Sequence, residues 1–163
     1  MIRIGQSRDT HRFKPGKGFM LGGVFIPALH TTVAHSDGDC LFHAIGEAML
    51  GALALGDLGT HFSDRDPTHQ GRDSADIVKE IHQMVQAQGY AIGNIDATVH
   101  LEVPKLMPYI DTIRSTIAEV LDVSTDRVSV KATTGEGVGI VGRQEALVCE
   151  AVVLMIKRGE TND

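Results

Sequence analysis

Residues that can bind a metal or move a proton are concentrated in residues 35–43, which have the sequence HSDGDCLFH. Asp39 stands at the N-cap position of a predicted helix, because apolar residues recur at helical spacing from Leu41 onward. Side chains four positions apart stack on a helix, so this spacing predicts that His43 lies between the carboxylates of Asp39 and Glu47. The stretch therefore predicts a polar site at the start of a helix whose other face is buried.

A second source of ligands is the strand predicted over residues 1–13. Alternate side chains on a strand share a face, so Asp9 and His11 are expected to project together. With His43 they would supply three ligands and leave a fourth position open, which is the pattern of a catalytic zinc site. Imidazole and carboxylate suit zinc without a thiolate. The alternatives are surface or hydrogen-bonded histidines, and Cys40 as a zinc ligand.

The elements that would position these residues follow from hydrophobic periodicity and from turn residues. Strands are predicted over residues 1–13, 90–103, 128–132 and 144–157, and a hairpin over 19–26 that turns at Gly22-Gly23. Helices are predicted from Asp39, from Asp73-Ser74 and after Pro108. Residues 57–73 are predicted to form a long loop, and residues 133–139 a flexible loop rich in hydrogen-bond donors.

The predicted fold class is α/β, an α+β sandwich in which a mixed sheet of about four main strands carries helices on one side. The length favours a single domain over residues 1–163. The last strand is apolar almost throughout, which predicts burial on both faces. The other side of the sheet would therefore need a cover, such as an oligomer contact.

Composition and charge exclude several classes of protein. A net charge of −6 argues against general nucleic-acid binding, which needs a basic face. No stretch approaches the roughly 20 apolar residues of a transmembrane helix, and the N-terminal region lacks a long apolar signal. Cys40 and Cys149 form no spacing motif and are predicted to be reduced. We therefore expect a cytoplasmic protein with neither a nucleic acid nor a membrane as its partner.

Six separated blocks, in this order and spacing, form a combination much more specific than any one of them. They are Asp9-Thr10-His11, residues 35–39 followed by His43-Ala44, Leu50-Gly51-Ala52 to Leu55-Gly56-Asp57, residues 62–67, residues 130–134, and Gly142-Arg143. In this combination the sequence closely resembles the family of 2-C-methyl-D-erythritol 2,4-cyclodiphosphate synthases.

The resemblance implies an enzyme, a metal-dependent phosphorus-oxygen lyase of the non-mevalonate isoprenoid pathway. Such an enzyme converts the nucleotide diphosphate 4-diphosphocytidyl-2-C-methyl-D-erythritol 2-phosphate into the cyclic diphosphate and releases CMP. The resemblance also implies a homotrimer with active sites between neighbouring subunits, zinc, and a second divalent cation. Three sheets packed around the trimer axis would supply the missing cover.

Roles for individual residues are likewise implied by the resemblance. Asp9, His11 and His43 match the family's zinc ligands, and Glu136 matches the carboxylate that binds magnesium or manganese. The residues that match cytidine and phosphate contacts, contributed by a neighbouring subunit, are Lys105, Ala132, Thr133 and Thr134. The remaining substrate-binding residues are Asp57 and Gly59 at the ribose, His35, Ser36 and Asp64 around the methylerythritol phosphate, and Arg143. Asp9, His11, His43, Thr134 and Glu136 are expected to be catalytic.

The sequence departs from the usual family pattern at several positions. Arg8 precedes the metal-binding aspartate where a small or aromatic residue is usual, and we expect it to pair with a nearby carboxylate. Gly135 and Gly137 replace a threonine and a lysine, which predicts added flexibility. Ile140 replaces an aromatic residue, and Glu47 replaces an aspartate.

Two other functions remain open from the sequence. A zinc-dependent phosphoester hydrolase would use metal-bound water as its nucleophile, but the sequence offers no convincing general base beside the metal other than Glu47. A non-catalytic metal-binding trimer would make the family matches at Lys105, Thr133 and Thr134 accidental.

Overall fold

The structure, a computed structural model, describes residues 1–34, 36–62 and 71–159. Its strands are β1 (Ile2–Pro15), β2 (Gly18–Leu21), β3 (Val24–Pro27), β4 (His30–Thr32), β5 (Tyr90–His100), β6 (Val128–Thr133) and β7 (Ala146–Lys157). Its helices are α1 (Cys40–Ala52), α2 (Leu58–His61), α3 (Ser74–Ala87), α4 (Ile110–Val120) and α5 (Gly139–Gly142), with 3-10 turns at Met107–Tyr109 and Thr125–Arg127.

The main sheet has five strands in the order β4-β1-β7-β5-β6. Strand β7 is antiparallel to both β1 and β5, whereas β5 and β6 are parallel, so the sheet is mixed as predicted. The fifth strand is the short β4, which pairs with the end of β1. Strands β2 and β3 form a separate hairpin that turns at Gly22-Gly23, as predicted. The predicted fold class is confirmed.

Helices α1, α3 and α4 lie on one face of the sheet and enclose an aliphatic core. Alternate residues of β5 and β7 point into this core, because side chains on a strand alternate between faces. The inward residues of β5 and β7 include Ile95, Ala97, Val99, Leu147, Cys149, Ala151, Val153 and Met155, all at most 1% exposed.

The opposite face of the sheet, here called the open sheet face, carries Ile2, Ile4, Val152 and Ile156. Their exposed fractions are 63%, 65%, 43% and 38%. In a single chain the second half of β7 is therefore buried on one face, and the predicted cover of its other face by an oligomer contact stays a prediction. The helices that cover the other face leave this apolar surface uncovered within the described residues.

Some predicted boundaries also differ from the structure. Strand β5 ends at His100 rather than at residue 103, although Leu101 N still donates a hydrogen bond to Thr133 O of β6. The predicted loop at 57–73 contains α2, which begins where Asp57 caps Thr60, while residues 63–70 lie outside the described part. The predicted loop at 133–139 ends at α5.

Gly5 allows β1 to pack directly against α1. A Cβ atom at this position would lie 1.8 Å from Ala48 O and 2.8 Å from Ala52 N. We expect Gly5→Ala to lower the free energy of unfolding by about 3 kcal/mol or more, measured by urea denaturation. Gly51→Ala, in the helix that Gly5 contacts, is the control, since nothing lies within 4 Å of its added Cβ. Equal stability of the two variants would contradict this account of the packing.

Candidate metal centre

The start of α1 is fixed by Asp39, whose side chain is fully buried. Its carboxylate accepts hydrogen bonds from the backbone N–H groups of Gly22 (2.9 Å), Gly23 (2.7 Å), Leu41 (3.1 Å) and Phe42 (3.0 Å). Burial raises the pKa of Asp39, although these N–H groups act in the opposite direction. The predicted N-cap is confirmed, and it also ties α1 to the β2–β3 hairpin.

The prediction that His43 lies between the carboxylates of Asp39 and Glu47 is wrong. Asp39 has extended backbone dihedrals, as an N-cap residue does, so its side chain turns toward the first-turn N–H groups instead of following the helical row. Glu47 Oε2 accepts a hydrogen bond from Leu58 N at 2.8 Å and thereby holds the start of α2. His43 instead faces β1.

Asp9 and His11 on β1 and His43 on α1 bring three ligand atoms together. Asp9 Oδ2 lies 2.9 Å from His11 Nε2 and 3.4 Å from His43 Nδ1, and the two imidazole nitrogens are 3.2 Å apart. Three vertices of a tetrahedral zinc site, with zinc–ligand bonds of 2.0–2.1 Å, would be separated by about 3.3 Å. The residues present therefore fit a tetrahedral metal ion with one position left for another ligand.

Burial and hydrogen bonding determine which atoms of Asp9 and His11 can bind a cation. Asp9 Oδ2 is buried and has no hydrogen-bond partner of good geometry among the described residues. Burial by itself would raise the pKa of Asp9, but the neighbouring imidazoles of His11 and His43 lower it well below its usual range. His11 Nδ1 lies 2.9 Å from the carbonyl oxygen of Gly38, which can only accept. Nδ1 therefore carries the proton, and Nε2 presents its lone pair to the site.

The loop after β6 presents the second group of predicted residues. Thr134 Oγ1 donates to Glu136 Oε1 at 3.0 Å, so these two side chains are held together. The carboxylate of Glu102 accepts from Gly135 N at 2.8 Å and from Gly137 N at 3.2 Å. The loop is thus clamped by a side chain of the preceding segment.

Close packing requires glycine at position 135. A Cβ atom there would lie 2.5 Å from the backbone nitrogen of Gly142, because the loop folds back onto α5. The predicted flexibility of this loop stays a prediction. This role of Glu102, which lies in the predicted strand over residues 90–103, was not predicted from the sequence.

The remaining predicted residues lie mainly on the surface. Asp57 Oδ1 accepts from Thr60 N and Thr60 Oγ1 at 2.8 and 2.6 Å, and these hydrogen bonds lower the pKa of its carboxyl. Ser36 Oγ lies 3.2 Å from His43 Nε2, next to the triad. Exposed residues of the predicted set are Asp57, Gly59, Lys105, Ala132, Thr133, Glu136 and Arg143. His35 and Asp64 lie outside the described residues.

Two charged side chains named above pair with neighbouring glutamates. Arg143 contacts Glu145 at 2.9 Å and 3.3 Å. Arg8, the departure beside the metal strand, lies 3.9 Å from Glu150, as expected. His100 lies 3.1 Å from the same glutamate. The Arg8 and Glu150 side chains are about half exposed, so their pairing contributes at most about 1 kcal/mol.

The two groups of predicted residues lie on β1 and after β6, two strands that β7 and β5 separate in one chain. The register connects Thr10 to Val148, Val148 to His100 and His100 to Thr133, so Thr10 of β1 and the end of β6 lie at the same level. Three steps between neighbouring strands separate them by about 14 Å. One chain therefore does not bring the loop after β6 to the Asp9–His11–His43 triad.

A mixed sheet with helices on one face and a carboxylate–imidazole–imidazole cluster between β1 and α1 defines a class of α/β protein with a candidate metal site. The sequence profile of the YgbB family matches residues 2–156. The chain therefore belongs to the YgbB family, the family of the 2-C-methyl-D-erythritol 2,4-cyclodiphosphate synthases, and is an enzyme of this class.

Curated relatives carry that name over their full length. The chain is 50% identical over 160 residues to the 2-C-methyl-D-erythritol 2,4-cyclodiphosphate synthase of Chromohalobacter salexigens, covering 98% of this chain and 99% of that protein. It is 48% identical over 157 residues to the synthase of Pseudomonas aeruginosa, covering 96% of this chain and all of that protein.

Solved structures share the fold. The Plasmodium falciparum IspF–CDP complex is 35% identical with a TM-score of 0.86, and 97% of each chain is covered. The bifunctional IspDF of Campylobacter jejuni is 35% identical with a TM-score of 0.92; the match covers 96% of this chain but 42% of that longer one. Among the described residues, no helix is both long enough and apolar enough to cross a membrane.

Proposed function

We propose that this chain, acting as a single domain over residues 1–163, converts 4-diphosphocytidyl-2-C-methyl-D-erythritol 2-phosphate into the 2,4-cyclodiphosphate. It releases CMP and serves as a lyase in the non-mevalonate isoprenoid pathway. The observation that carries the proposal is the convergence of Asp9 Oδ2, His11 Nε2 and His43 Nδ1 in a chain whose relatives are cyclodiphosphate synthases. The CDP bound to the Plasmodium falciparum relative supports a cytidine nucleotide as part of the substrate.

The reaction is an internal displacement at phosphorus. An oxygen of the 2-phosphate forms a bond to the β-phosphorus, the bond from that phosphorus to the bridging oxygen breaks, and CMP leaves with the electron pair. Because a phosphate oxygen is already anionic at neutral pH, the step depends on neutralising charge and on in-line positioning more than on a strong base.

We assign zinc to Asp9, His11 and His43, and magnesium or manganese to Glu136. When bound, these cations would act as Lewis acids and neutralise the negative charge of the phosphates. Two imidazoles and one carboxylate form a donor set that suits zinc, whereas an exposed carboxylate such as Glu136 suits a harder cation. The low pKa of Asp9 keeps its carboxylate ionised and ready to bind.

The other residues bind and orient the substrate. Thr133 and Thr134 offer hydroxyl groups at the end of β6, and Lys105 offers a positive charge, so they suit the cytidine and phosphate groups. The ribose is assigned to Asp57 and Gly59. The methylerythritol phosphate is assigned to His35, Ser36 and Asp64, and Arg143 completes the substrate-binding set.

We also propose a homotrimer with active sites between subunits. The separation of about 14 Å between β1 and β6 means that a second copy must bring its Glu136 loop to the triad. Ile2, Ile4, Val152 and Ile156 on the open sheet face would be covered if three sheets packed around a common axis. A particle of about three times 17.5 kDa in light scattering is the expected result.

The decisive experiment follows CMP release together with the phosphorus NMR spectrum of the products. We expect CMP and a cyclic diphosphate from the purified protein, and loss of both when a chelator removes the metals. A linear phosphorylated product would instead establish the hydrolase. No turnover by folded, zinc-loaded protein would leave a non-catalytic metal-binding protein.

A further inference from the structure

The second nitrogen of His43 faces two serine hydroxyls. Nε2 lies 3.0 Å from Ser74 Oγ and 3.2 Å from Ser36 Oγ. Its other nitrogen, Nδ1, faces the Asp9 carboxylate at 3.4 Å and the His11 ring. Whether His43 can donate a lone pair to a metal therefore depends on which nitrogen carries the ring proton.

The hydroxyl of Ser74 has its proton committed elsewhere. Ser74 Oγ donates to Asp37 Oδ1 in a short hydrogen bond, and the backbone N–H of Ser74 donates to Asp37 Oδ2 at 3.2 Å. A hydroxyl has only one proton, so toward His43 the Ser74 oxygen acts as an acceptor. It therefore favours the form of His43 with the proton on Nε2 and the lone pair on Nδ1.

This preference opposes the effect of Asp9. The Asp9 carboxylate lies close enough to Nδ1 to draw the ring proton there, and a proton on Nδ1 would block the lone pair. An acceptor at Nε2 counters that tendency and also fixes the plane of the ring.

Asp37 and Ser74 are themselves held in place. The backbone N–H of Asp37 donates to Arg72 O at 3.2 Å, and the N–H of Asp39 donates to Asp37 Oδ1 at 3.2 Å. Ser74 is fully buried at the start of α3. Hydrogen bonds from Asp37 to Ser74 and from Ser74 to His43 thus connect the starts of α1 and α3.

We propose that Asp37 and Ser74 are positioning residues for the metal centre, forming a relay that keeps the His43 proton on Nε2 and its Nδ1 lone pair available to the metal. The proposal rests on the metal centre assigned above, and it concerns residues outside the ligand set and the substrate-binding set. A role limited to joining the loop to α3 would leave zinc affinity unchanged.

The test measures the zinc dissociation constant of the full-length protein by competition with a chromophoric chelator. We expect Ser74→Ala to weaken zinc binding about 10- to 100-fold, and Ser74→Thr, which keeps the hydroxyl, to restore most of it. Asp37→Asn should weaken binding by a smaller factor, because an amide oxygen replaces only one of the two carboxylate acceptors. It also provides a second test should the alanine variant fail to fold.

Ser124→Ala is the matched control, since Ser124 makes a similar short hydrogen bond to Asp126 on the surface. We expect it to bind zinc as the unchanged protein does. In proton–nitrogen NMR spectra of zinc-loaded protein, the Nε2–H of His43 should exchange slowly with solvent, and Ser74→Ala should speed this exchange.

Unchanged zinc affinity and unchanged His43 exchange in folded Ser74→Ala would overturn the relay. A failure of the proposed activity is distinguishable from a failure of the relay. Zinc-loaded protein that releases no CMP would contradict the synthase function, whereas the comparison of zinc dissociation constants among the variants would still test the relay.

Discussion

Replacing Asp9 by asparagine is expected to lower the rate of CMP release at least about 10³-fold, equivalent to about 4 kcal/mol of transition-state stabilisation. Asparagine has nearly the same size but no charge, and its amide hydrogens would compete for the lone pairs of His11 and His43. The anionic donor that the two imidazoles keep ionised is then absent. The protein should also lose zinc during dialysis, as measured by atomic emission.

Asp111→Asn is the control for the change in net charge, since the Asp111 side chain is 96% exposed on α4. It should release CMP and retain zinc like the unchanged protein. An Asp9→Asn protein that keeps both its zinc and its rate would contradict the assignment of Asp9 as a ligand.

The second large effect is expected on stability, from Asp39→Ala. Four backbone N–H groups from the hairpin and from α1 would lose their shared acceptor. Each buried, unsatisfied donor costs about 1–3 kcal/mol, although water entering the space would recover part of this. We expect the free energy of unfolding to fall by about 3–5 kcal/mol in urea denaturation followed by circular dichroism.

Asp73→Ala is the matched control because Asp73 is also an N-cap, at the start of α3, but among the described residues it accepts from one N–H group, that of Ala75. A loss of about 1 kcal/mol is expected there. Asp39→Asn replaces Asp39→Ala in this test if the alanine variant does not fold. It keeps Oδ1 and loses only the acceptor for Gly23, so its loss of stability should lie between those expected for Asp39→Ala and Asp73→Ala. If Asp39→Ala lowers the free energy of unfolding no more than Asp73→Ala does, the proposal that Asp39 joins α1 to the β2–β3 hairpin is wrong.

Several local features were predictable from the sequence because they depend on neighbours in the chain. The N-caps at Asp39 and Asp73, the turn at Gly22-Gly23 and the alternation along β5 were all predicted correctly. Each follows from one residue type satisfying backbone groups, or facing a core, within a few positions. The set of chemical groups near residues 9–11 and 43 was likewise identifiable from spacing and family resemblance.

The tertiary structure decided which of these groups meet. Asp39 could have lined the metal centre or joined the hairpin, and only packing turned it to the hairpin. Residues 37 and 74 have no local relation, yet the packing of α3 against α1 and the segment before it joins Asp37 to Ser74 and Ser74 to His43.

Likewise, the order of the strands in the sheet, which no single strand's pattern encodes, places β7 and β5 between β1 and β6. The sequence by itself determined the ligand types, the caps and the turns, since these depend on short stretches of chain. The packing of elements distant in sequence decided the rest, and no local spacing encodes that packing. It decided which ligand atoms converge, that the open sheet face stays uncovered in one chain, and that the loop after β6 lies away from the triad.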